Sequence, residues 1–363
     1  MQVRSVELKN YRNYGSLQLD LSPGTNLFFG DNAQGKTNLL EAIYACATTS
    51  SHRSSKDREI IAFGEEEAHV RLFVEKRGVM TRLDYHISRS KGKEAAVGGV
   101  ALSRVSELLG QLHVVFFSPE DLKIIKSAPV ERRTFLNVEL CQLSPLYTRF
   151  LVEYKRTLMQ RNALLKEVRE KPDLRKLLDI YDEKLAEAGE QLMKERRAFL
   201  EELAGIAAPI HREITEEKED LKISYEPGAE EGKMAENLFL TRDRDLAAGS
   251  TGSGPHRDEI DFAIDGVSVK HFGSQGQQRT TALSLKLAEI ELVKRKIGEA
   301  PVLLLDDVLS ELDEKRQDKL LKSIKDIQTL LTCTGMDDFV ERRVDVDKKW
   351  RVAGGSLTEV ERE

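Results

Sequence analysis

Between Gln2 and Phe29 apolar and polar residues alternate, with Val6 and Leu8, then Leu17, Leu19 and Leu21, ahead of the unbroken apolar run Leu27-Phe28-Phe29. A period of two puts alternate side chains on opposite faces of a strand, so this stretch is expected to form strands separated by turns. The same habit returns from His69 to Val100, where Gly78, Gly92 and Gly98-Gly99 mark turns, and an antiparallel β-lobe is expected there. Near Pro129 the period changes, and helical character runs from Arg132 to about Lys222. Leu178, Tyr181, Leu185, Ala188 and Leu192 recur at helical spacing on one stripe, and Leu151, Tyr154, Leu158, Leu165 and Val168 form a second stripe, broken at Arg161. Pro172 between them suits the reversal of an antiparallel helical pair, which either packs on the body or stands out as an arm. Pro227 to Ala235, rich in Gly and Glu, reads as a surface loop, and Val302 to Leu305 as a buried strand. The pattern predicts an α/β protein with a discontinuous head, residues 1–130 and 236–363, and a helical insert over 131–235. The head is expected to combine a mixed sheet with the antiparallel lobe.

Gly30-Asp31-Asn32-Ala33-Gln34-Gly35-Lys36-Thr37 fits the phosphate-loop pattern G-x-x-x-x-G-K-[ST] and sits between the apolar Leu27-Phe29 and a helical run. Its glycines let backbone N–H groups converge on phosphates at a helix N-terminus, Lys36 reaches the β/γ oxygens, and Thr37 is placed to ligate Mg²⁺. Gly30, Asn32, Gly35, Lys36, Thr37 and Asn38 are the candidate nucleotide-binding residues of this segment. Val302-Leu303-Leu304-Leu305-Asp306-Asp307 is an apolar strand ending in two acids. At a strand's carboxyl end Asp306 supports Mg²⁺ and Asp307 holds the attacking water, with Lys36 completing the candidate catalytic set. Glu is the usual residue at the second acidic position, and the shorter Asp307 implies slow hydrolysis.

A third segment, Phe272-Gly273-Ser274-Gln275-Gly276-Gln277-Gln278, opens a helix carrying Leu283, Leu287 and Ile290. Ser274, Gly276 and Gln277 make either a second anion-binding nest or an ordinary helix cap. Placed between the loop and the paired acids, the segment matches the signature of ABC-type ATPases, which covers the γ-phosphate held by a partner subunit. Ser310-Glu311-Leu312-Asp313 then matches the D-loop, Thr332 or Thr334 stands where a switch residue is expected, and Glu120 is the positional stand-in for the Q-loop glutamine.

The charge balance, 56 basic against 62 acidic residues for a net of −6, leaves DNA contact to a local patch. Arg71 to Lys93 holds seven Lys/Arg against Glu75 and Asp84; Arg82, Arg89, Lys91 and Lys93 are the first candidates, followed by Lys9, Arg12 and Arg53. Cys46, Cys141 and Cys333 lie apart without a CxxC pair, which argues against a disulfide framework or a zinc site, and His52 and His256 lack ligand spacing. The N-terminus does not read as a signal peptide and no apolar run reaches the roughly 20 residues of a spanning helix, so a cytoplasmic, non-membrane protein is expected.

The chain resembles the RecF family of SMC-like ABC-type ATPases. The resemblance rests on Leu8-Lys9-Asn10-Tyr11-Arg12-Asn13-Tyr14, Asp31-Asn32-Ala33-Gln34-Gly35, Ser51-His52-Arg53, Phe117-Ser118-Pro119-Glu120-Asp121, Arg132-Arg133-Thr134-Phe135-Leu136 and Gly254-Pro255-His256-Arg257-Asp258, and covers nearly the whole chain. It implies an SMC-like head split by a helical insert, ATP and Mg²⁺ as cofactors, and ATP-driven homodimerisation. It also implies sequence-independent binding to gapped or junction DNA, partnership with RecO and RecR in loading RecA, and weak DNA-stimulated ATPase activity acting as a switch. The rival reading is an ABC transporter ATPase subunit, which is usually shorter, carries a Q-loop and a switch His, and lacks the long insert. An SMC-type protein acting by its coils alone is disfavoured, because an insert of about 90 residues at about 1.5 Å each is too short for such arms. The residues alone assign no role to Ser51-His52-Arg53, which fits a nucleotide or DNA contact or a polar cap, nor to Gly254–Asp258, which fits a tight turn with a salt bridge.

Overall fold

The phosphate loop and the paired acids emerge from two strands of one sheet, Thr25–Phe29 and Val302–Asp306, which flank the strand Thr329–Cys333. The computed structural model describes residues 1–53, 56–335 and 344–360, and the chain divides into a first unit, Met1–Asp121 with Leu285–Glu363, and a second, Leu122–Ser284. In the first unit a six-stranded sheet runs in the order Ser356–Val360, Lys348–Ala353, Thr25–Phe29, Thr329–Cys333, Val302–Asp306, Val114–Phe117. Its strands are parallel except for the outer hairpin of Lys348–Ala353 with Ser356–Val360. Strands covered on both faces need unbroken apolar sequence, which is why Val302–Leu305 and Leu330–Leu331 are buried throughout.

A second, antiparallel sheet runs Tyr14–Asp20, Gln2–Tyr11, Glu67–Lys76, Val79–Ser88, Gly92–Val97, Val100–Ala101. Two of its hairpins turn at Arg77-Gly78 (φ 50° and 75°) and Gly98-Gly99 (φ 60° and 84°). Positive φ at both central residues is the turn that matches strand twist, so the expected glycine turns have a direct cause. Val70, Leu72, Val74, Leu83, Tyr85 and Ile87 line its buried face and share a core with helix Lys36–Thr48 and with Leu304 and Leu330 of the parallel sheet.

The second unit contains the helices Pro129–Leu143, Pro145–Glu167 and Leu178–Thr215, and a sheet ordered Val267–Ser268, Glu259–Ile264, Leu221–Glu226. Helical character stops short of Lys222: Glu216 and Glu217 turn left-handed (φ 55° and 61°) and Leu221–Glu226 is a strand. That strand pairs with Glu259–Ile264, which keeps 236–284 in the second unit, whereas a return to the head at 236 was expected. The division falls inside helix Gln275–Ile297, at Leu285.

Arg161, which breaks the apolar stripe, is fully buried on it. Its Nε donates to Asp182 Oδ1 at 2.5 Å and its Nη1 to Asp245 Oδ2 and Thr251 Oγ1, both at 2.8 Å; Asp182 also receives Arg242. Gly254–Asp258 is a second buried junction. Asp258 accepts from Arg196 Nη1 at 2.5 Å, Tyr225 Oη at 2.5 Å and the Gly228 amide at 2.7 Å, while His256 Nδ1 meets Tyr154 Oη at 2.6 Å. Gly254 has φ 126°, and a Cβ there would lie 2.5 Å from Tyr154 Oη, so only glycine fits. The tight turn with a salt bridge accounts for this element.

Candidate nucleotide site

Helix Lys36–Thr48 begins at Gly35, left-handed at φ 119°, with no side-chain cap and no acid in its first turn. Its first amides point out of the helix end without a capping side chain of its own, the arrangement that receives an anion. Two glycines of the loop are sterically required. A Cβ on Gly30 (φ 148°) would lie 2.4 Å from the Val352 carbonyl, and one on Gly35 2.6 Å from Asn13 Nδ2. Asn13 donates to Gln34 O and receives Asn38 Nδ2, both at 2.8 Å, and Tyr14 Oη donates to Gly35 O at 3.0 Å, so the first hairpin braces the loop. On its other side Gln34 is held by the amides of Gly354 and Gly355.

The loop opens on a cleft of about 460 Å³ lined by Asn32, Gly35, Lys36, Thr37, Asn38, Asp306 and Asp307, together with Arg12, Ala33, Arg53, Thr332 and Thr334. Thr37 Oγ1 donates to Asp306 Oδ1 at 2.9 Å, and Thr332 Oγ1 to the same oxygen at 2.8 Å. Thr332 Oγ1 also accepts the Asp307 amide at 3.0 Å, fixing a residue whose φ of 52° is unusual for a side-chain-bearing residue. Burial raises the Asp306 pKa, opposed by these two hydroxyls. A bound cation would lower it, so the donor set of one hydroxyl and one desolvated carboxylate suits Mg²⁺. Lys36 Nζ bonds the Gly30 and Asp31 carbonyls, the latter at 2.7 Å, and burial lowers its pKa against the pull of Cys333, Asp307, Asp306 and Asp31.

Arg12 and Arg53, read from sequence as reserve DNA contacts, line this cleft. Arg12 Nε and Nη2 clasp Glu41 at 2.9 and 2.7 Å, and Ser51 Oγ also donates to Glu41, which is fully buried. Sequence reasoning missed Glu41 and the bracing role of Asn13. The available signal was an acid inside the apolar helical run Leu39-Leu40-Glu41-Ala42-Ile43, since a buried charge demands a partner. Ser51-His52-Arg53 therefore reaches the cleft at one end and packs at the other. His52 stacks against Phe116 and meets Tyr44 edge-on, and burial drops its pKa to about 4.

The other predicted residues lie elsewhere. Ser274, Gly276 and Gln277 belong to the second unit and open helix Gln275–Ile297. Ser274 Oγ accepts the Gln277 amide at 3.2 Å and Gln277 Oε1 the Ser274 amide at 2.9 Å, a reciprocal capping box that makes the helix-cap reading structurally true. Asp313 of the D-loop caps helix Glu314–Ser323, and Glu120 is exposed and does not line the cleft. In the basic run, Arg82 pairs with Asp84, Arg71 with Asp84 and Glu7, Lys93 Nζ bonds Thr49 O at 2.8 Å and Arg89 Nε bonds Glu65 O at 2.8 Å, while Lys91 is exposed, as is Lys9 outside the run. Much of that positive charge is engaged within the fold.

A model of the RecF/RecN/SMC N terminal domain matches residues 2–335. The DNA replication and repair protein RecF of Lachnoclostridium phytofermentans is 50% identical over 357 residues, 98% of this chain and 99% of that protein. RecF of Agathobacter rectalis is 49% identical over the same shares. The solved structure of a recombination mediator protein RecF with ATP, in the RecFOR pathway, matches with TM-score 0.93 and 36% identity over 99% of this chain and 97% of that one. An Smc head bound to the C-winged helix domain of ScpA shares the fold at 16% identity, TM-score 0.57, over 99% and 97% of the two chains. The chain belongs to the RecF family of DNA replication and repair proteins, an SMC-like ATPase family.

Proposed function

We propose that the chain is an ATP-gated DNA-binding protein of recombinational repair, which dimerises on ATP and assists the loading of RecA at gaps and duplex junctions. The observation that carries the nucleotide part is the bond from Thr37 to Asp306, which joins the loop to a strand end 269 positions away. The ATP in a solved relative supports the same reading. The triphosphate is received by the amides at the start of helix Lys36–Thr48 and by Lys36, with Arg12 and Arg53 adding positive charge at the cleft. Thr37 and Asp306 would hold Mg²⁺, which would supply charge neutralisation to the triphosphate. Asp307 orients the attacking water and takes its proton. One methylene shorter than Glu, it reaches less far, which gives slow turnover suited to a switch.

Dimerisation is supported by the exposure of Ser274 and Gly276 and by Phe272, a residue 78% exposed beside them. An exposed polar helix start with an exposed aromatic beside it suits a second subunit. RecO and RecR are proposed as partners from the pathway in which the solved relative stands. The transporter reading gains nothing from these relatives. Cytoplasmic residence accords with the absence, among the described residues, of any helix long and apolar enough to cross a membrane.

The test is sedimentation of Asp307→Asn with ATP, with and without gapped DNA. That variant should dimerise with ATP and bind DNA more tightly, whereas Ser274→Arg should bind ATP yet stay monomeric. A Ser274→Arg protein that dimerises and hydrolyses normally contradicts the sandwich. DNA binding should be independent of sequence and weaken with salt at about −0.9 per phosphate contacted. Neutralising Arg89, Lys91 and Lys93 together should flatten that slope, and an unchanged slope places the DNA surface elsewhere.

A further inference from the structure

In the antiparallel sheet of the first unit, His69 on Glu67–Lys76 lies directly opposite His86 on Val79–Ser88. Ala68, Val70, Leu72 and Val74 face the core, so Glu67 and His69 share the solvent face. The two imidazoles stand 4.0 Å apart between centroids, with His86 Nδ1 2.8 Å from His69 Nε2. Glu67 reaches both rings, Oε1 at 3.6 Å from His69 Nε2 and Oε2 at 3.5 Å from His86 Nε2. One donor atom from each residue lies within 4.8 Å of the others. None of these three residues has a part in the nucleotide cleft.

We propose that Glu67, His69 and His86 bind a divalent transition-metal ion of the zinc class, at a site separate from Thr37 and Asp306. Two imidazoles and one carboxylate suit such ions and not Mg²⁺ or Ca²⁺, which prefer all-oxygen ligands. In a tetrahedral site with metal–ligand bonds of about 2.0–2.1 Å, neighbouring donors stand roughly 3.3–3.4 Å apart. One donor atom from each residue already lies within 4.8 Å of the other two, so small rotations of the exposed Glu67 and His69 side chains bring the set to that spacing. The side chains of Glu67 and His69 are 51% and 45% exposed, which leaves the fourth position open to water, while His86 at 16% is held by the sheet. Burial and the neighbouring ring lower the pKa of His69, favouring the neutral imidazole that a metal requires. Lys9, opposite His69 on Gln2–Tyr11, opposes a cation, whereas the exposed Glu94, opposite His86 on Gly92–Val97, favours one. Cys46, Cys141 and Cys333 are buried and offer no competing thiolate cluster. The ion would fasten two adjacent strands and stabilise the sheet by its binding energy.

The full chain, freed of metal with a chelator, is titrated with Zn²⁺ in excess Mg²⁺ by calorimetry, and its melting temperature is followed in parallel. One Zn²⁺ per chain and a rise in melting temperature are expected. His69→Asn, on an exposed ring, should weaken binding at least tenfold, since loss of a mere outer-sphere partner already costs about 10–100-fold. An unchanged affinity in His69→Asn, or no binding by the wild type, overturns the proposal. Should that variant fail to fold, carbethoxylation of wild-type His69, mapped by mass spectrometry, should be suppressed by Zn²⁺, and equal labelling with and without the ion overturns it.

Discussion

Arg161 in the second unit and Arg12 in the first are both tied to buried carboxylates, and the way each network ends separates them. Arg161 has no exposure, and its donors run to Asp182, Asp245 and Thr251, with Arg242 sharing Asp182 from the other side. Arg12 clasps one fully buried acid, Glu41, retains 20% side-chain exposure and faces a cleft with Lys36 and Arg53. In the second unit the charges meet one another and fix how helices pack. In the first, a buried carboxylate anchors an arginine that remains available to something outside. A charged residue in an apolar pattern is thus structural when its partners close around it and a candidate for function when they hold it at an opening.

Arg161→Ala should show the largest effect. It leaves Asp245 buried without its arginine, and losing one partner of a buried ion pair costs about 3–5 kcal/mol. Urea denaturation should register that loss, while ATP affinity of the folded fraction stays at the wild-type value. Arg12→Ala should register in both readouts. Stability should fall by about 1–3 kcal/mol as Glu41 keeps only the Ser51 hydroxyl of its side-chain donors described above, and ATP binding should weaken as well. If Arg12→Ala costs stability alone, the distinction drawn between the two arginines fails.

Thr332→Val is the mildest change, expected to cost about 1 kcal/mol or less as one hydroxyl bond disappears. Its hydroxyl is one of two that hold the Asp306 pKa down against burial, so removing it raises that pKa further. A raised carboxyl pKa means the ionised, metal-binding form appears only at higher pH. The acid limb of the ATPase pH profile should therefore move to higher pH in the variant. An unmoved limb would remove Thr332 from the support of Asp306.

What was legible in the sequence follows from the reach of each interaction. The loop and the paired acids are contiguous, because backbone amides at a helix start and a carboxylate at a strand end need only local sequence. The turns at Arg77-Gly78 and Gly98-Gly99 were legible for the same reason. The grip of Arg12 on Glu41, 29 positions apart, and the pairing of His69 with His86 depend on helix placement and strand register, which local patterns do not encode. Arg161 was visible as an interruption of a stripe, yet its partners are 21 to 90 positions distant. The return to the first unit at Leu285 was displaced from 236 by the pairing of Leu221–Glu226 with Glu259–Ile264, again a matter of register.

If the cleft is a nucleotide site, Lys36 supplies the main side-chain charge that holds the triphosphate. Calorimetric titration of ATP with Mg²⁺ into the wild-type chain and into Lys36→Ala tests it. One site per chain is predicted for the wild type. In the variant, affinity should fall at least tenfold, the equivalent of one charge-assisted hydrogen bond of about 1.5–3 kcal/mol, without loss of folding. Equal affinity in the two proteins would contradict the account.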